Sequence, residues 1–300
     1  MKILYFTHSN EKKVGILGIN KAVYALNDFS KLWKGDLPTT LNDAIPLLTD
    51  EVVQQIKEAI SGDEIAPLCT LDDVQLHAPI EYPRRNIICL GKNYRDHCEE
   101  MEGKTSDMID IPTFPIYFSK SAFPAIGAYD EIVVNASVTT QVDYEVELAL
   151  VIGKEGRGIS KSDAMSYIFG YMVANDVSAR DVQMRHIQWL LGKSQDSFCP
   201  LGPWVTHRSE VANPQALRIY AEVNGERRQD GCTDQLIFNI PTIISDLSAG
   251  MTLYPGDIIL TGTPSGVGMG FEPPKYLQDG DEVMCGIEGL GHLVNRVCIR

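Results

Sequence analysis

The chain has 300 residues, 44% of them hydrophobic, which suits one large domain or two modest ones with real cores and argues against a disordered polymer. Forty acids against twenty-six bases leave a formal charge of −14, and no Lys/Arg cluster interleaved with aromatics is present to hold a phosphate backbone, so nucleic acid is a poor fit as partner. Seven scattered cysteines with no C-x-x-C spacing argue against a disulfide framework or thiolate zinc site, and no apolar run is long enough for a membrane span or signal peptide, so a cytoplasmic protein that does not engage membranes is expected.

Residues 1–27 read as strands over Lys2–Phe6, Val14–Ile19 and Ala22–Leu26, a modest antiparallel sheet. From Asn27 to Ser61 the apolar spacing turns helical, through Phe29, Leu32 and Trp33, then Leu41, Ile45 and Leu48, then Val52, Ile56 and Ile60. Thr40 or Asn42 is placed to cap the second of these, and Gly62 to stop the third. No catalytic cluster falls in this part, and residues 1–80 are expected to form a small accessory domain.

Asn86–Leu90 reads as a short buried strand, followed by Gly91-Lys92-Asn93-Tyr94-Arg95-Asp96-His97-Cys98-Glu99-Glu100. Asp96 is placed to cap a short helix on which His97 and Glu100, three apart, share a face. A carboxylate that fixes the tautomer of a histidine is a common way to make a general base near neutral pH, although on spacing alone a surface helix with an incidental pair is the commoner explanation. Pro112–Lys120 is extended and ends on Lys120.

In Thr140–Ile152, Val142, Tyr144, Val146, Leu148 and Leu150 alternate with Asp143, Glu145, Glu147 and Ala149, the pattern of one strand with an apolar and an acidic face. Glu145 and Glu147 would then lie roughly 6.6 Å apart along the strand and repel by about 2–3 kcal/mol, a repulsion that a cation between them reverses. The ordinary alternative is the solvated face of an edge strand. Against it stands the unbroken apolar run Leu148–Ile152, which reads as buried on both faces.

Ser160 or Ser162 is placed to cap a helix running through Ile168, and a second buried strand, Phe169–Ala174, runs into Asn175-Asp176, with Arg180 and Gln183 on one face of the helix that follows. Lys193 arrives after an apolar approach, an expensive place for a charge without a partner. A hairpin is predicted at Asn224-Gly225, and a helix from the Asn239-Ile240-Pro241 cap to Gly250. After the strand Ile258–Leu260, the loop Thr261-Gly262-Thr263-Pro264-Ser265-Gly266-Val267-Gly268 lacks the order of a P-loop or dinucleotide site and reads as backbone brought close to a small ligand. Two strands, Glu282–Glu288 and Gly291–Ile299, close the chain.

Five phrases in this order, Asn93-Tyr94-Arg95-Asp96-His97, Asp143-Tyr144-Glu145-Val146-Glu147, Asn175-Asp176-Val177-Ser178-Ala179-Arg180-Asp181, Gly192-Lys193-Ser194 and the Gly-rich loop, resemble the fumarylacetoacetate hydrolase family over roughly residues 84–300. The resemblance implies an α+β, β-rich fold: a mixed β-roll catalytic domain behind a small N-terminal α/β accessory domain, commonly dimeric. It implies metal ligands at Glu145, Glu147 and Asp176, a catalytic pair at His97 and Glu100, a site lysine at Lys193, and substrate contacts at Arg180, Gln183, Thr263 and Lys120.

Three carboxylates with no His or Cys make a hard oxygen site suited to Mg²⁺ or Mn²⁺. A 2-oxo acid could chelate there, with the ion stabilising an enolate at C3. The reaction expected is cleavage between C3 and C4 of a small anionic 2-oxo acid, as an acylpyruvate hydrolase or an oxaloacetate decarboxylase. Isomerisation or tautomerisation on the same site is the alternative, and a non-catalytic scaffold a more distant one. Glu99–Thr113, polar and Met-containing, is expected either to form a lid that orders on substrate binding or to be an ordinary surface loop.

Overall fold

A computed structural model describes residues 1–33, 36–101 and 111–300. Within them, eleven strands make one sheet. Its main path runs Cys69–Thr70, Ala22–Ala25, Glu11–Leu17, Lys2–His8, Leu201–His207, Ile168–Asn175, Val146–Ile152, Ile258–Leu260, Ile87–Gly91, Ile116–Lys120, and Gln75–Leu76 pairs separately with Lys2–His8. All these pairings are antiparallel except that of Ile258–Leu260 with Ile87–Gly91. A second sheet runs Glu226–Cys232, Arg218–Val223, Glu282–Ile287, Gly291–Ile299, Ile132–Val134.

Alternation along Val146–Ile152 explains the layering, because every residue of this strand is buried and successive side chains enter different cores. Leu148, Leu150 and Ile152 join the core between the two sheets, with Ile219, Val283, Leu293 and the helix Ile240–Gly250. Ala149 and Val151 join the core on the other face, with Ile3, Leu41, Ile45, Leu48 and Ile56 of the first eighty residues. Each such Leu or Ile taken fully out of water contributes about 1.5–3 kcal/mol, so both cores hold this strand in place. The first eighty residues also share the sheet, through Lys2↔Thr206 and Ile3↔Val205.

The local signals behave largely as their chemistry suggests. Thr40 accepts from the Asp43 N–H at the start of Leu41–Ala44, Gly62 ends Asp50–Ser61, and Asn239 accepts from the Thr242 N–H. Asn224 and Gly225 turn their hairpin with φ of 52° and 78°, the left-handed values a two-residue turn of this kind requires. Three helices differ from expectation. The one spaced on Leu41, Ile45 and Leu48 is an α-helix only over Leu41–Ala44. Leu26–Leu32 is a 3-10 helix, in keeping with the three-residue spacing of Phe29 and Leu32. Ser160 closes a turn onto Asp163, and only Ala164–Tyr167 is helical before the strand begins at Ile168. Among the described residues no helix is long and apolar enough to cross a membrane.

Candidate active site

The acidic stretch is not one strand. Val142–Asp143 pairs with Ser178–Ala179, and Val146–Ile152 pairs with Ile168–Asn175, so the chain breaks at Tyr144-Glu145. At the break the Glu145 N–H donates to Asn175 Oδ1 at 3.0 Å, and its carbonyl accepts from the Asp176 N–H at 2.8 Å. These two bonds tie the ends of the two central strands together. A carboxylate oxygen from each of Glu145, Glu147 and Asp176 consequently falls within 4.8 Å of the others, and all three residues are buried. The acidic face predicted for the strand is therefore interior, as is Asp143.

Burying acids this close requires compensating charge. Lys193 Nζ donates to Glu145 Oε2 at 2.6 Å and to Asp176 Oδ2 at 3.0 Å. Lys120 Nζ bonds Asp176 Oδ1 and the Val177 carbonyl. Arg180 is held by Asp143 through Nε at 2.9 Å and meets Gln183 Oε1 at 3.1 Å through Nη1, while Nη2 lies 2.6 Å from Glu145 Oε1. Burial opposes ionisation of Glu145, but Lys193, Arg180 and His97 outweigh it and hold this carboxyl well below its usual range. Glu147 goes the other way, pushed up by burial and then by Asp176 and Glu145, only partly offset by Lys193 and the Gly262 N–H. Lys193, although burial disfavours its charge, is held above its ordinary value by Asp176 and Glu145.

His97 and Glu100 lie on the helix Arg95–Glu100, with Nδ1 3.2 Å from Glu100 Oε2. Asp96 is not the cap of this helix. Tyr94 occupies that position, and Asp96 accepts instead from the His97 N–H and the Ser265 hydroxyl. The Gly-rich loop spends its N–H groups on the acids: Gly262 on Glu147 at 2.6 Å, Gly266 on Glu100 at 2.8 Å, Gly268 and Met269 on Asp143 at 2.6 and 3.0 Å. At Gly266, φ is 101° and a β-carbon would lie 1.8 Å from the Arg228 carbonyl oxygen, so only glycine fits there.

One cleft is lined by His97, Glu145, Glu147, Arg180, Gln183, Lys193 and Thr263; Asp176, Lys120 and Glu100 lie behind this lining, Asp176 joined to it through Lys193, Lys120 through Asp176, and Glu100 through His97. Thr263 donates to the Val146 carbonyl and accepts from Gln229. Gln229, Asp143 and Asn175 are structural partners of the site that residue-by-residue reading missed. A lone Gln in a polar hairpin carries no signal, and Asp143 differs from its neighbouring acids only in which side of the chain break it falls on. Of Glu99–Thr113, residues 102–110 lie outside the described residues.

The triad fits a divalent cation. Three buried carboxylates converge with only oxygen donors, and in the protein alone burial, followed by repulsion from Asp176 and Glu145, already pushes the Glu147 pKa up.

Residues 86–298 match the family model described as fumarylacetoacetate (FAA) hydrolase, C-terminal. The chain belongs to the fumarylacetoacetate hydrolase family. Within it, the chain is 50% identical over 237 residues to the oxaloacetate tautomerase YisK of Bacillus subtilis, covering 79% of this chain and 77% of that one. It is 41% identical over 306 residues to the mitochondrial oxaloacetate tautomerase Fahd2a of Rattus norvegicus, covering 99% and 91%. Among solved structures, a fumarylacetoacetate hydrolase from Exiguobacterium antarcticum superimposes with a TM-score of 0.80 at 36% identity over both whole chains. The maleylpyruvate hydrolase of Sphingobium sp. SYK-6, in complex with manganese(II) and pyruvate, does so with a TM-score of 0.79 at 28% identity, covering 100% of this chain and 99% of that one. The family resemblance and the strand-rich α+β fold read from the sequence are thus both upheld, and the family's enzymes include tautomerases, isomerases and hydrolases.

Proposed function

We propose that this protein interconverts the keto and enol forms of a small 2-oxo diacid, oxaloacetate, with Mg²⁺ or Mn²⁺ held by Glu145, Glu147 and Asp176. The observation that carries the reading is the convergence of the three carboxylates within 4.8 Å of one another, two of them, Glu145 and Glu147, in one cleft with His97 and Lys193, and the third, Asp176, bonded to Lys193 behind it. The sequence favoured cleavage of the C3–C4 bond. The two relatives named oxaloacetate tautomerase, at 50% and 41% identity, support the alternative reaction on the same groups.

Tautomerisation needs less machinery than hydrolysis. One C3–H bond breaks, one O–H bond forms on the C2 oxygen, and neither an attacking water nor a carbon leaving group is involved. The cation, when bound, supplies a Lewis acid that acidifies the C3 proton of a chelating 2-oxo acid. His97 takes that proton and returns it to the C2 oxygen. Glu100, fixed by the Gly266 N–H, keeps the His97 ring oriented and steadies its protonated form. Lys193 and Arg180 offset the negative charge that develops while the proton is in transit.

The pairing of His97 with Glu100 and the likeness to a maleylpyruvate hydrolase keep C–C cleavage as the second reading. One assay separates them. Protein with Mg²⁺ or Mn²⁺ is given oxaloacetate, acetylpyruvate or fumarylpyruvate, and enol absorbance is followed together with pyruvate and CO₂. Faster loss of enol oxaloacetate without CO₂ is expected. Pyruvate release would establish cleavage instead, and no acceleration of any of these reactions would leave a scaffold.

A further inference from the structure

Beyond the helix Arg180–Arg185 the chain lays Trp189 against the end of the strand Ile87–Gly91. The indole rests on a residue without a side chain, since a β-carbon on Gly91 would lie 2.7 Å from Cζ3 and 3.1 Å from Cη2. Trp189 also meets Phe118 edge to face, with centroids 5.3 Å apart and planes at 66°. Phe118 is 5.1 Å from Lys193 Nζ, the atom that bonds Glu145 and Asp176. One lysine side chain therefore separates the carboxylate floor of the cleft, Glu145 and Glu147, from an aromatic wall of Phe118 and Trp189.

A 2-oxo acid anchored on that floor by its carboxylate and keto oxygens must place its remaining atoms between floor and wall. A carboxylate on C3 is small and finds the positive charge of Lys193 and Arg180. A ring on C3 has to displace an indole that is packed against the side-chain-less Gly91 and against Phe118. We propose that Trp189 is the size filter of this cleft, confining it to 2-oxo acids whose C3 substituent is no larger than a carboxylate or acetyl group. The proposal rests on the oxo-acid reading of the site but not on which reaction follows binding.

The test is a calorimetric titration of Mn²⁺-loaded protein with pyruvate and with phenylpyruvate, read as the ratio of their dissociation constants. In the unaltered protein phenylpyruvate should bind at least about tenfold more weakly than pyruvate. Trp189→Ala should shrink that ratio by about tenfold, with Trp189→Phe in between and serving as the reading if the alanine variant does not fold. A ratio that stays the same in folded Trp189 variants overturns the filter, as does an unaltered protein that binds both ligands equally. Because no turnover is read, a protein inactive on oxaloacetate that still shows the shift keeps the filter and loses only the proposed reaction. Failure of the unaltered protein to bind pyruvate at all sinks the oxo-acid reading and the filter together.

Discussion

Lys193 places its ammonium 2.6 Å from Glu145 Oε2, with both side chains buried, and the same nitrogen reaches Asp176. Asp143, Glu145, Glu147 and Asp176 stand against Lys120, Arg180 and Lys193, four acids to three bases, so full ionisation leaves one negative charge uncompensated among these residues. Lys193 therefore has two tasks in one place. It compensates the acids in the protein alone, and in the proposed reaction it stands where charge would develop on a bound oxo acid.

Lys193→Met is expected to cost about 3–5 kcal/mol in the absence of metal, because it leaves two buried carboxylates without their shared cation. Adding Mn²⁺ should recover part of that loss. Denaturant unfolding of both proteins, with and without Mn²⁺, checks this. An equal loss in the two conditions would separate Lys193 from the cation site.

Glu145→Ala and Asp176→Ala should each weaken Mn²⁺ binding by at least about a hundredfold, since a hard-ion site of three carboxylates loses both a ligand and a formal charge. Electron paramagnetic resonance of free Mn²⁺ gives the affinity directly. Unchanged affinity in either variant would place the cation elsewhere.

His97→Asn should lower the rate of enol-to-keto conversion by about 10²–10⁴-fold while Mn²⁺ binds as before, the usual contribution of a positioned general base. Glu100→Gln should have a smaller effect, because His97 keeps its place and loses only its orienting charge. A His97 variant at full rate would return the pair to the status of an ordinary helix-surface contact.

His207 predicts an acid limb in stability. Its ring packs edge to face on Phe169, its Nε2 lies 3.7 Å from Asp50, and burial pushes its pKa down from 6.5 to about 4 despite that carboxylate. A folded-state value below the unfolded one means the unfolded chain takes up the proton first. The contribution is then complete above about pH 6.5 and is lost as the pH falls towards 4. Urea unfolding at pH 7 and pH 4.5 should show a drop in which His207 accounts for on the order of 2 kcal/mol, removed in His207→Gln. An identical drop in the variant would contradict it.

Gln229 is fully buried, accepts from the Val146 N–H, and donates to Thr263 and the Pro264 carbonyl. Gln229→Leu should cost about 2–4 kcal/mol through the unpaired groups it leaves, and should lower turnover by loosening Thr263 against the strand that carries Glu147. Melting temperature and turnover measured on the same sample test both halves. A variant with full activity at reduced stability would confine Gln229 to packing.

What could be read in the sequence was what depends on neighbours in the chain. The caps at Thr40 and Asn239, the turn at Asn224-Gly225 and the acids at the mouths of two apolar strands are local patterns, and the structure has them in place. What could not be read depends on residues far apart. Alternation predicted a single strand from Val142 onwards. The break at Tyr144-Glu145 is set by Asn175 and Asp176, thirty residues away, which bond the backbone of Glu145. The Gly-rich loop reads in the sequence as backbone close to a small ligand; its N–H groups instead bind Glu100, Asp143 and Glu147, partners that reach it only through the fold.

The pairing of Lys2–His8 with Leu201–His207 gives the opening segment a meaning that its lack of a catalytic cluster conceals. Removal of residues 1–80 would unzip a ladder instead of severing a tether, leaving the remainder with a bare strand edge and with the apolar flank of Ala149 and Val151 uncovered. Engineers who wish to shorten this chain should therefore supply a substitute edge before removing the original one.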